Sequence, residues 1–256
     1  MATFVQTATQ LFSGGIKLTC HGDTIGLDLT ADPVEKTTYC SGGAREFMQG
    51  LKSWQVNGEG FHDFAAGGSV ASELVPGEHF TPTALSAGTN LTVAPVNGTE
   101  GAVAYLADGA YSSLSPLAGG TVGEAARFGF TAVPSSLAAG HKMVRGLLEA
   151  NRTVTATGNT TGSNTLGAVA TGGRVAASLH VVSLAGTSPS ITVTVQSDDN
   201  SGFTSPTTRI TFTAATTRVG QFAYLAGPVT DSFWRVSYTV SGTNPSIAFA
   251  VSIGIA

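Results

Sequence analysis

The sequence predicts a mainly β protein: an N-terminal β-sandwich or barrel with one flanking α-helix, followed by a C-terminal antiparallel β-sandwich. Three observations lead to this prediction. Short apolar segments lie between glycine- and proline-containing turns in the first half. One segment has apolar residues at helical spacing, and two-residue alternation of apolar and polar residues runs through the second half.

The first half contains several predicted short strands. The segments 16–19 and 25–29 are strands by their patterning, and Asp32-Pro33 is expected to end the second of them. From Ser53 onward, clean alternation predicts a half-buried strand. Further strands are predicted at 90–93, 123–131 and 143–149.

A polar, glycine-broken loop precedes the strand that begins at Ser53. The loop runs from Glu35 to Phe47, and Ser41, Gly42 and Gly43 in its centre are incompatible with regular structure. A long loop feeding a strand is uncommon in a compact domain unless the loop has a function. We therefore expect this loop to contact another molecule.

One helix is predicted. Thr99 is a suitable N-cap, Glu100 lies in the first turn, and Pro116 ends the helix. The residues at helical spacing are Val103, Leu106, Ala107, Ala110, Tyr111 and Leu114.

The second half reads as an antiparallel β-sandwich because apolar residues alternate regularly with polar ones. Two segments, 186–191 and 242–247, repeat one Gly-Thr-x-Pro-Ser-Ile design, which predicts two related hairpins facing each other across the core. The alternating apolar residues are Ile191, Val193, Val195, Ile210, Phe212, Phe222, Tyr224, Trp234, Val236, Tyr238, Val240, Phe249, Val251, Ile253 and Ile255.

The two halves are predicted to be separate domains, residues 1–151 and residues 152–256. The low-complexity run from Thr153 to Thr165 has no apolar periodicity and is the predicted linker. We expect the halves to fold independently.

Charged residues make up 11% of the 256 residues, against about 25% in ordinary soluble domains. A neutral, hydroxyl-rich surface fits a subunit that is covered by copies of itself. Composition alone fits a secreted Thr/Ser-rich sandwich equally well.

The N-terminus lacks the features of a secretory signal, and no apolar run approaches the roughly 20 residues of a membrane helix. We expect a soluble protein made in the cytoplasm and not inserted in a membrane. In that compartment, Cys20 and Cys40 are expected to be free thiols rather than a disulfide.

The net charge is −4, with −6 in residues 1–150 and +2 in residues 151–256. Strong nucleic-acid binders carry clustered Lys and Arg, which this chain lacks. Specific DNA binding is therefore not expected.

Residues typical of an active site are sparse, and we predict that the chain is not an enzyme and holds no metal or cofactor. It has no glycine-flanked serine elbow, no phosphate-binding loop and no paired-histidine zinc motif. Cys20, His21, Cys40 and His62 lack the paired spacing of a structural zinc site.

Two further groups of residues have a structural explanation. Asp198, Asp199, Asn200 and Gly202 faintly suggest a calcium loop, but they lie between two strands, where such residues form turns. Trp234, Tyr238 and Phe249 suggest a sugar-stacking face, but their alternation phase favours burial in the core.

Most of the first 150 residues resembles the major tail tube protein of long-tailed bacteriophages. The resemblance lies in the order of its motifs, namely Thr37-Thr38-Tyr39, Gly43-Ala44-Arg45, Gly50-Leu51-Lys52, the segment Gly101 to Tyr111, Val122-Gly123-Glu124 and Val144-Arg145-Gly146. The second half, above all 196–203 and 233–255, is similar to a β-sandwich appended to some tail tube subunits.

This resemblance implies a structural virion protein in the phage tail, assembled in the host cytoplasm. Six copies would form a ring, and stacked rings would form the tube through which DNA is delivered. The partners implied are copies of the chain itself and the tape-measure, tail terminator and baseplate proteins. Residues 1–151 would form the ring and line the bore, and residues 152–256 would decorate the tube exterior.

The loop corresponds to the family's long loop, which reaches a neighbouring subunit or ring. Its residues are Glu35, Lys36, Thr37, Thr38, Tyr39, Ser41, Gly42, Gly43, Ala44, Arg45, Glu46 and Phe47. The acidic residues Glu59, Asp63 and Glu73 are candidates for the bore wall, where negative charge would repel phosphate. The alternative function is a carbohydrate-binding module or virion adhesin that binds through the second half.

Overall fold

A computed structural model describes residues 9–18, 22–38, 40–42, 44–61, 89–115, 121–135, 143–162 and 166–256. These residues form thirteen β-strands, and every pairing between the strands is antiparallel. The prediction of a mainly β protein is confirmed. The strands are β1 (Gln10–Ser13), β2 (Ile16–Lys17), β3 (Gly22–Glu35), β4 (Phe47–Phe61), β5 (Thr89–Ala94), β6 (Val103–Ser115), β7 (Arg127–Pro134), β8 (Val144–Val154), β9 (Gly158–Asn159), β10 (Arg174–Asp198), β11 (Thr207–Thr211), β12 (Val219–Ala226) and β13 (Phe233–Ile255).

Hydrogen bonds join all thirteen strands into one sheet. Its main path runs β11-β10-β13-β8-β6-β5-β1-β2, while β12 and β9 pair with β10 and β13 respectively. The sheet also branches at β6: β6 pairs with β7, β7 pairs with β4, and β4 pairs with β3. Two main apolar cores result, one among β8 and β10 to β13, and one among β1 and β4 to β7.

The predicted helix is wrong, because the residues at helical spacing form strand β6. This strand pairs with β5, β7 and β8, so it lies inside the sheet and is covered on both faces. Leu106 and Ala107 are adjacent in sequence and both fully buried, yet they belong to different cores. Because both faces of the strand are buried, apolar residues occur at adjacent positions as well as alternate ones, and their spacing here is the same as that of a helix.

The boundaries of β3 also differ from the prediction. Asp32-Pro33 does not end the strand, which continues to Glu35 through a shift of register between Ala31 and Pro33. A bulge of this kind lets a proline lie within an edge strand because its missing N–H is not needed by a neighbour.

The repeated Gly-Thr-x-Pro-Ser-Ile segments are not hairpin turns. They lie in the middle of the long strands β10 and β13, where Thr187 pairs with Thr243. Gly186 and Gly242 adopt φ values of +112° and +110°, which favour glycine. The two copies of the motif therefore pair directly with each other, at a point where the register of the two strands shifts.

Two parts of the predicted linker, residues 153–154 and 158–159, belong to the sheet. Thr153 and Val154 end β8 and pair with Ala248 and Ile247 of β13. Further along, β9 pairs with β13, and Thr160 donates its backbone N–H to the carbonyl of Val236 at 2.8 Å. The boundary predicted at 151/152 thus falls within a strand that joins the two halves.

A buried polar cluster adds a second contact between the halves. It consists of Asn90 and Thr92 of β5, Ser178 and His180 of β10, and Ser252 of β13, all nearly inaccessible to solvent. His180 Nε2 lies 3.0 Å from the hydroxyls of both Ser178 and Thr92, and the Thr92 hydroxyl lies 3.0 Å from that of Ser252. Burial lowers the pKa of His180 to about 3, so the imidazole is neutral at physiological pH.

Candidate functional site

A β-hairpin made of β3 and β4 extends beyond the sheet. Strand β4 pairs with β7 only from Val56 to Phe61, and β3 pairs with no described strand other than β4. The described residues of the range 28–55, which we call the hairpin arm, therefore form a two-stranded ribbon whose edges are unpaired among the described residues. Unpaired strand edges offer N–H and C=O groups to another chain.

The hairpin arm carries most of the exposed large apolar side chains of the described residues. Leu51 is 81% exposed and Leu29 is 67% exposed, whereas Trp54 at the base of the arm is only 2% exposed. Val34, Phe47 and Met48 add further exposed apolar surface. Exposed apolar clusters of this kind mark interaction surfaces.

The arm is bordered at its base by an open groove of about 580 Å³, whose walls include Leu29, Trp54 and Met143. Apolar and polar side chains both line this groove, so it extends the exposed surface of the arm toward the body of the protein.

The predicted contact loop forms the tip of this arm. Its backbone closes with a hydrogen bond of 2.9 Å from the Lys36 N–H to the Glu46 carbonyl, and the Glu46 N–H is bound by the Thr37 hydroxyl at 3.1 Å. The ion pairs Lys36–Glu46 (3.8 Å) and Arg45–Glu35 (3.9 Å) are exposed and add little stability.

Within the loop, Ser41, Gly42 and Ala44 lie in the turn, while Tyr39 and Gly43 lie outside the described residues. The Ser41 hydroxyl accepts a hydrogen bond of 3.0 Å from the Thr38 N–H. Cys40 is an exposed free thiol, and Cys20 lies outside the described residues. The described residues of the loop therefore include a turn at the end of the hairpin, and the strand that follows starts at Phe47 rather than at Ser53.

Of the predicted bore residues, the structure describes Glu59 alone. Its carboxylate is exposed and lies 3.6 Å from Arg127, which also pairs with Asp23. Arg127 thus offsets part of the negative charge of this region. Asp63 and Glu73 lie outside the described residues.

The residues examined for metal binding and sugar stacking have structural roles where they are described. Both Asp198 oxygens accept backbone N–H groups, from Asn200 at 3.0 Å and from Ser205 at 2.9 Å, as in a turn. Trp234, Tyr238 and Phe249 are buried in the core, as predicted. No group of three or more His, Cys, Asp or Glu side chains suited to a metal occurs in the described part of the chain, and His21 and His62 lie outside it.

One buried carboxyl group was missed by the sequence reasoning. Glu149 of β8 is 4% exposed, and its Oε1 has no hydrogen-bond partner. Burial, with the nearby charge of Glu100, raises the pKa of Glu149 to about 7. Its position at the end of the predicted strand 143–149 gave no sign of this environment.

Among the described residues, no helix is long and apolar enough to span a membrane. Together the observations describe an all-antiparallel β protein with a projecting, partly apolar hairpin.

Comparison with protein-family models gives no match, and neither does comparison with curated protein sequences. Among solved structures, the chain is similar to a protein of the virion of a native gene transfer agent particle, with 14% identity, a TM-score of 0.39, and coverage of 53% of this chain and 96% of that one. It is similar to a protein from the C6-symmetric tail of an empty gene transfer agent particle, with 17% identity, a TM-score of 0.39, and coverage of 56% and 99%. The third likeness is to the SPP1 Dit protein, a hub of a phage adsorption apparatus, with 10% identity, a TM-score of 0.32, and coverage of 98% and 100%.

Proposed function

We propose that this chain is a structural protein of a bacteriophage tail, and specifically the major tail tube subunit. In this proposal six copies form a ring, and stacked rings form the conduit for DNA delivery. The observation that carries the proposal is the hairpin arm, whose edges are unpaired and whose apolar side chains are exposed.

The arm supports self-assembly for two physical reasons. Its free backbone groups gain hydrogen bonds when a strand from another copy adds to the edge. Exposed Leu29, Phe47 and Leu51 gain the free energy of apolar burial when covered, at about 25 cal/mol per Å². The low charge content of the chain leaves little electrostatic repulsion to oppose stacking.

The remaining roles follow the sequence resemblance. Residues 1–151 form the ring and line the bore, and residues 152–256 lie on the outside of the tube. Glu59 faces the bore in this arrangement, and DNA passes without specific binding. The tape-measure, tail terminator and baseplate proteins contact the assembled rings.

Negative-stain microscopy of the purified protein tests the proposal directly. We expect rings or tubes with sixfold symmetry for the natural sequence. Leu51→Glu places a charge on the arm and should abolish them, whereas Val122→Glu should not, because Val122 is fully exposed in a different turn. Monomers at all concentrations of the natural protein, or tubes from Leu51→Glu, would contradict it.

The loop has a separate test. Deleting residues 41–44 shortens the tip of the arm without touching the paired strands, so the protein should stay folded but rings should no longer stack. Circular dichroism checks the fold and microscopy checks the stacking. Normal tubes after this deletion would show that the loop is not part of the stacking interface.

A further inference from the structure

The turn before β6, the middle of β8 and the segment after β9 together line a small, half-open pocket. Its volume is about 260 Å³, and its lining includes Glu100, Glu149, Arg152, Thr160 and Thr161. Since a water molecule fills about 30 Å³ of liquid, the pocket has room for a partly hydrated ion.

Glu149 enters this pocket because of a β-bulge. In the pairing of β8 with β13, Val251 lies opposite Ala150 and Ser252 lies opposite Leu148, so Glu149 is the extra residue without a partner. Bulges redirect a side chain and are common beside functional sites.

The other carboxylate of the pocket is already compensated. Arg152 donates to Glu100 through Nε at 2.8 Å and also through Nη2, and the Asn151 N–H donates to the same carboxylate at 2.7 Å. Burial alone would raise the pKa of Glu100, but these donors hold it below its usual value. Ionised Glu149 would therefore carry the uncompensated charge.

An uncompensated carboxylate is costly inside a protein. The Oε1 atom of Glu149 has no hydrogen-bond partner, and the residue is almost inaccessible to solvent. The lining also includes Glu100, Thr160 and Thr161, whose side chains carry oxygen atoms, and the Thr160 hydroxyl already accepts a hydrogen bond of 3.0 Å from the Val236 N–H. Oxygen ligands of mixed kind, on separate segments, suit a hard cation that tolerates irregular coordination.

We propose that this pocket binds a divalent cation, Ca²⁺ in preference to Mg²⁺, with Glu149 as the principal ligand and Glu100 and waters completing the shell. Mg²⁺ requires near-ideal octahedral geometry and gives up its waters reluctantly, which two carboxylates on different segments do not favour. Because Arg152 stays close, the affinity belongs in the weak class, with a Kd of about 0.1–1 mM.

The site would connect three segments of the chain. Glu100 precedes β6, Glu149 lies in the strand that pairs with β13, and Thr160 is hydrogen-bonded to Val236 of β13. A bound ion would tie the first half of the chain to the second and raise the melting temperature.

Calorimetric titration of the full chain with CaCl₂ and MgCl₂ at pH 8 tests the proposal, with NaCl at matched ionic strength as the screening control. We expect Ca²⁺ binding in the millimolar range or below, at least tenfold weaker binding in Glu149→Gln, and unchanged binding in Glu124→Gln, an exposed carboxylate elsewhere. Affinity should also fall at least tenfold at pH 5.5, because the ligand must lose a proton to bind.

Three results would overturn the proposal. The first is no Ca²⁺ binding by the natural protein at 10-fold the weakest expected Kd, about 10 mM. The second is equal binding by Glu149→Gln, and the third is a melting-temperature rise that NaCl reproduces. Glu149→Gln keeps the size of the side chain, so loss of fold is checked by its own melting curve.

Discussion

The side-chain nitrogen of Asn90 donates a hydrogen bond of 2.8 Å to the backbone carbonyl of Leu179, which joins β5 to β10 in the buried interior. The same nitrogen lies 3.1 Å from the Gln221 carbonyl and 2.9 Å from the Ser178 hydroxyl. All three of these groups can accept hydrogen bonds, so they determine that the NH₂ group of the Asn90 side chain, rather than its oxygen, faces them. This contact bonds the two halves of the chain, which the sequence reasoning treated as independent.

Replacing Asn90 with Ala should destabilise the whole protein. Removal of a buried donor leaves its acceptors unsatisfied, at a cost of about 1–3 kcal/mol. Urea unfolding measures the change, and Asn159→Ala, at an exposed position of β9, should change stability by less than about 0.5 kcal/mol. Equal effects from the two substitutions would show that the cluster does not hold the halves together.

Gly220 of β12 should not tolerate a side chain. A Cβ at this position would lie 1.9 Å from Asn90 Oδ1 and 2.7 Å from the Gly14 Cα, so Gly220→Ala must displace strands. We expect a loss of about 1–3 kcal/mol. Gly26→Ala is the matched control, since its Cβ would meet only Asn57, at 3.9 Å, and its thermal stability should be unchanged or slightly higher.

His180 should make the protein less stable in acid. Its pKa of about 3 lies below the value of about 6.5 in an unfolded chain, so the folded state binds fewer protons between these values. The contribution of neutral His180 to the free energy of unfolding is fully present above pH 6.5. It falls by about 1.4 kcal/mol per pH unit as the pH drops toward 3. Comparing the natural protein with His180→Gln in urea between pH 4 and pH 7 isolates this slope, which should be missing in the variant.

Glu149 should have the opposite pH dependence. Its pKa of about 7 in the folded protein exceeds the unfolded value of 4.5, so the folded state holds the proton longer. In the presence of EDTA, stability should fall as the pH rises from 4.5 to 7, by roughly 3 kcal/mol in total. Glu149→Gln should remove this loss, whereas Glu124→Gln should keep it, and parallel curves for all three proteins would contradict the assignment.

A chain ending at Asn151 should fail to fold cooperatively. Strand β8 would lose β13, with which it pairs, and Asn90 would lose the Leu179 carbonyl that accepts its hydrogen bond. Phe12 and Leu148, which pack against Ala250, would become exposed. Circular dichroism and thermal melting measure the outcome. A sharp melting transition for this shortened chain would instead support two independent domains divided at 151/152.

Two-residue alternation was the most reliable predictor of structure in this chain. In the second half it correctly indicated strands and the burial of Trp234, Tyr238 and Phe249. Side chains of a strand point alternately to its two faces, so a strand with one apolar face can be recognised from local sequence alone. In the candidate site, glycine and polar residues located the loop between Glu35 and Phe47, which lies at the tip of the hairpin arm.

Features that depend on distant neighbours are visible only in the folded chain. Strand β6 resembled a helix because Leu106 and Ala107 enter different cores, and the continuation of β8 past residue 151 depends on pairing with β13. The exposure of Leu51 and the buried, unpaired state of Glu149 likewise follow from which strands surround them. In the second half, local sequence correctly predicted strand conformation, because alternation acts over a few positions. Pairing partners and burial are set by contacts between residues far apart in the chain, which no local pattern records.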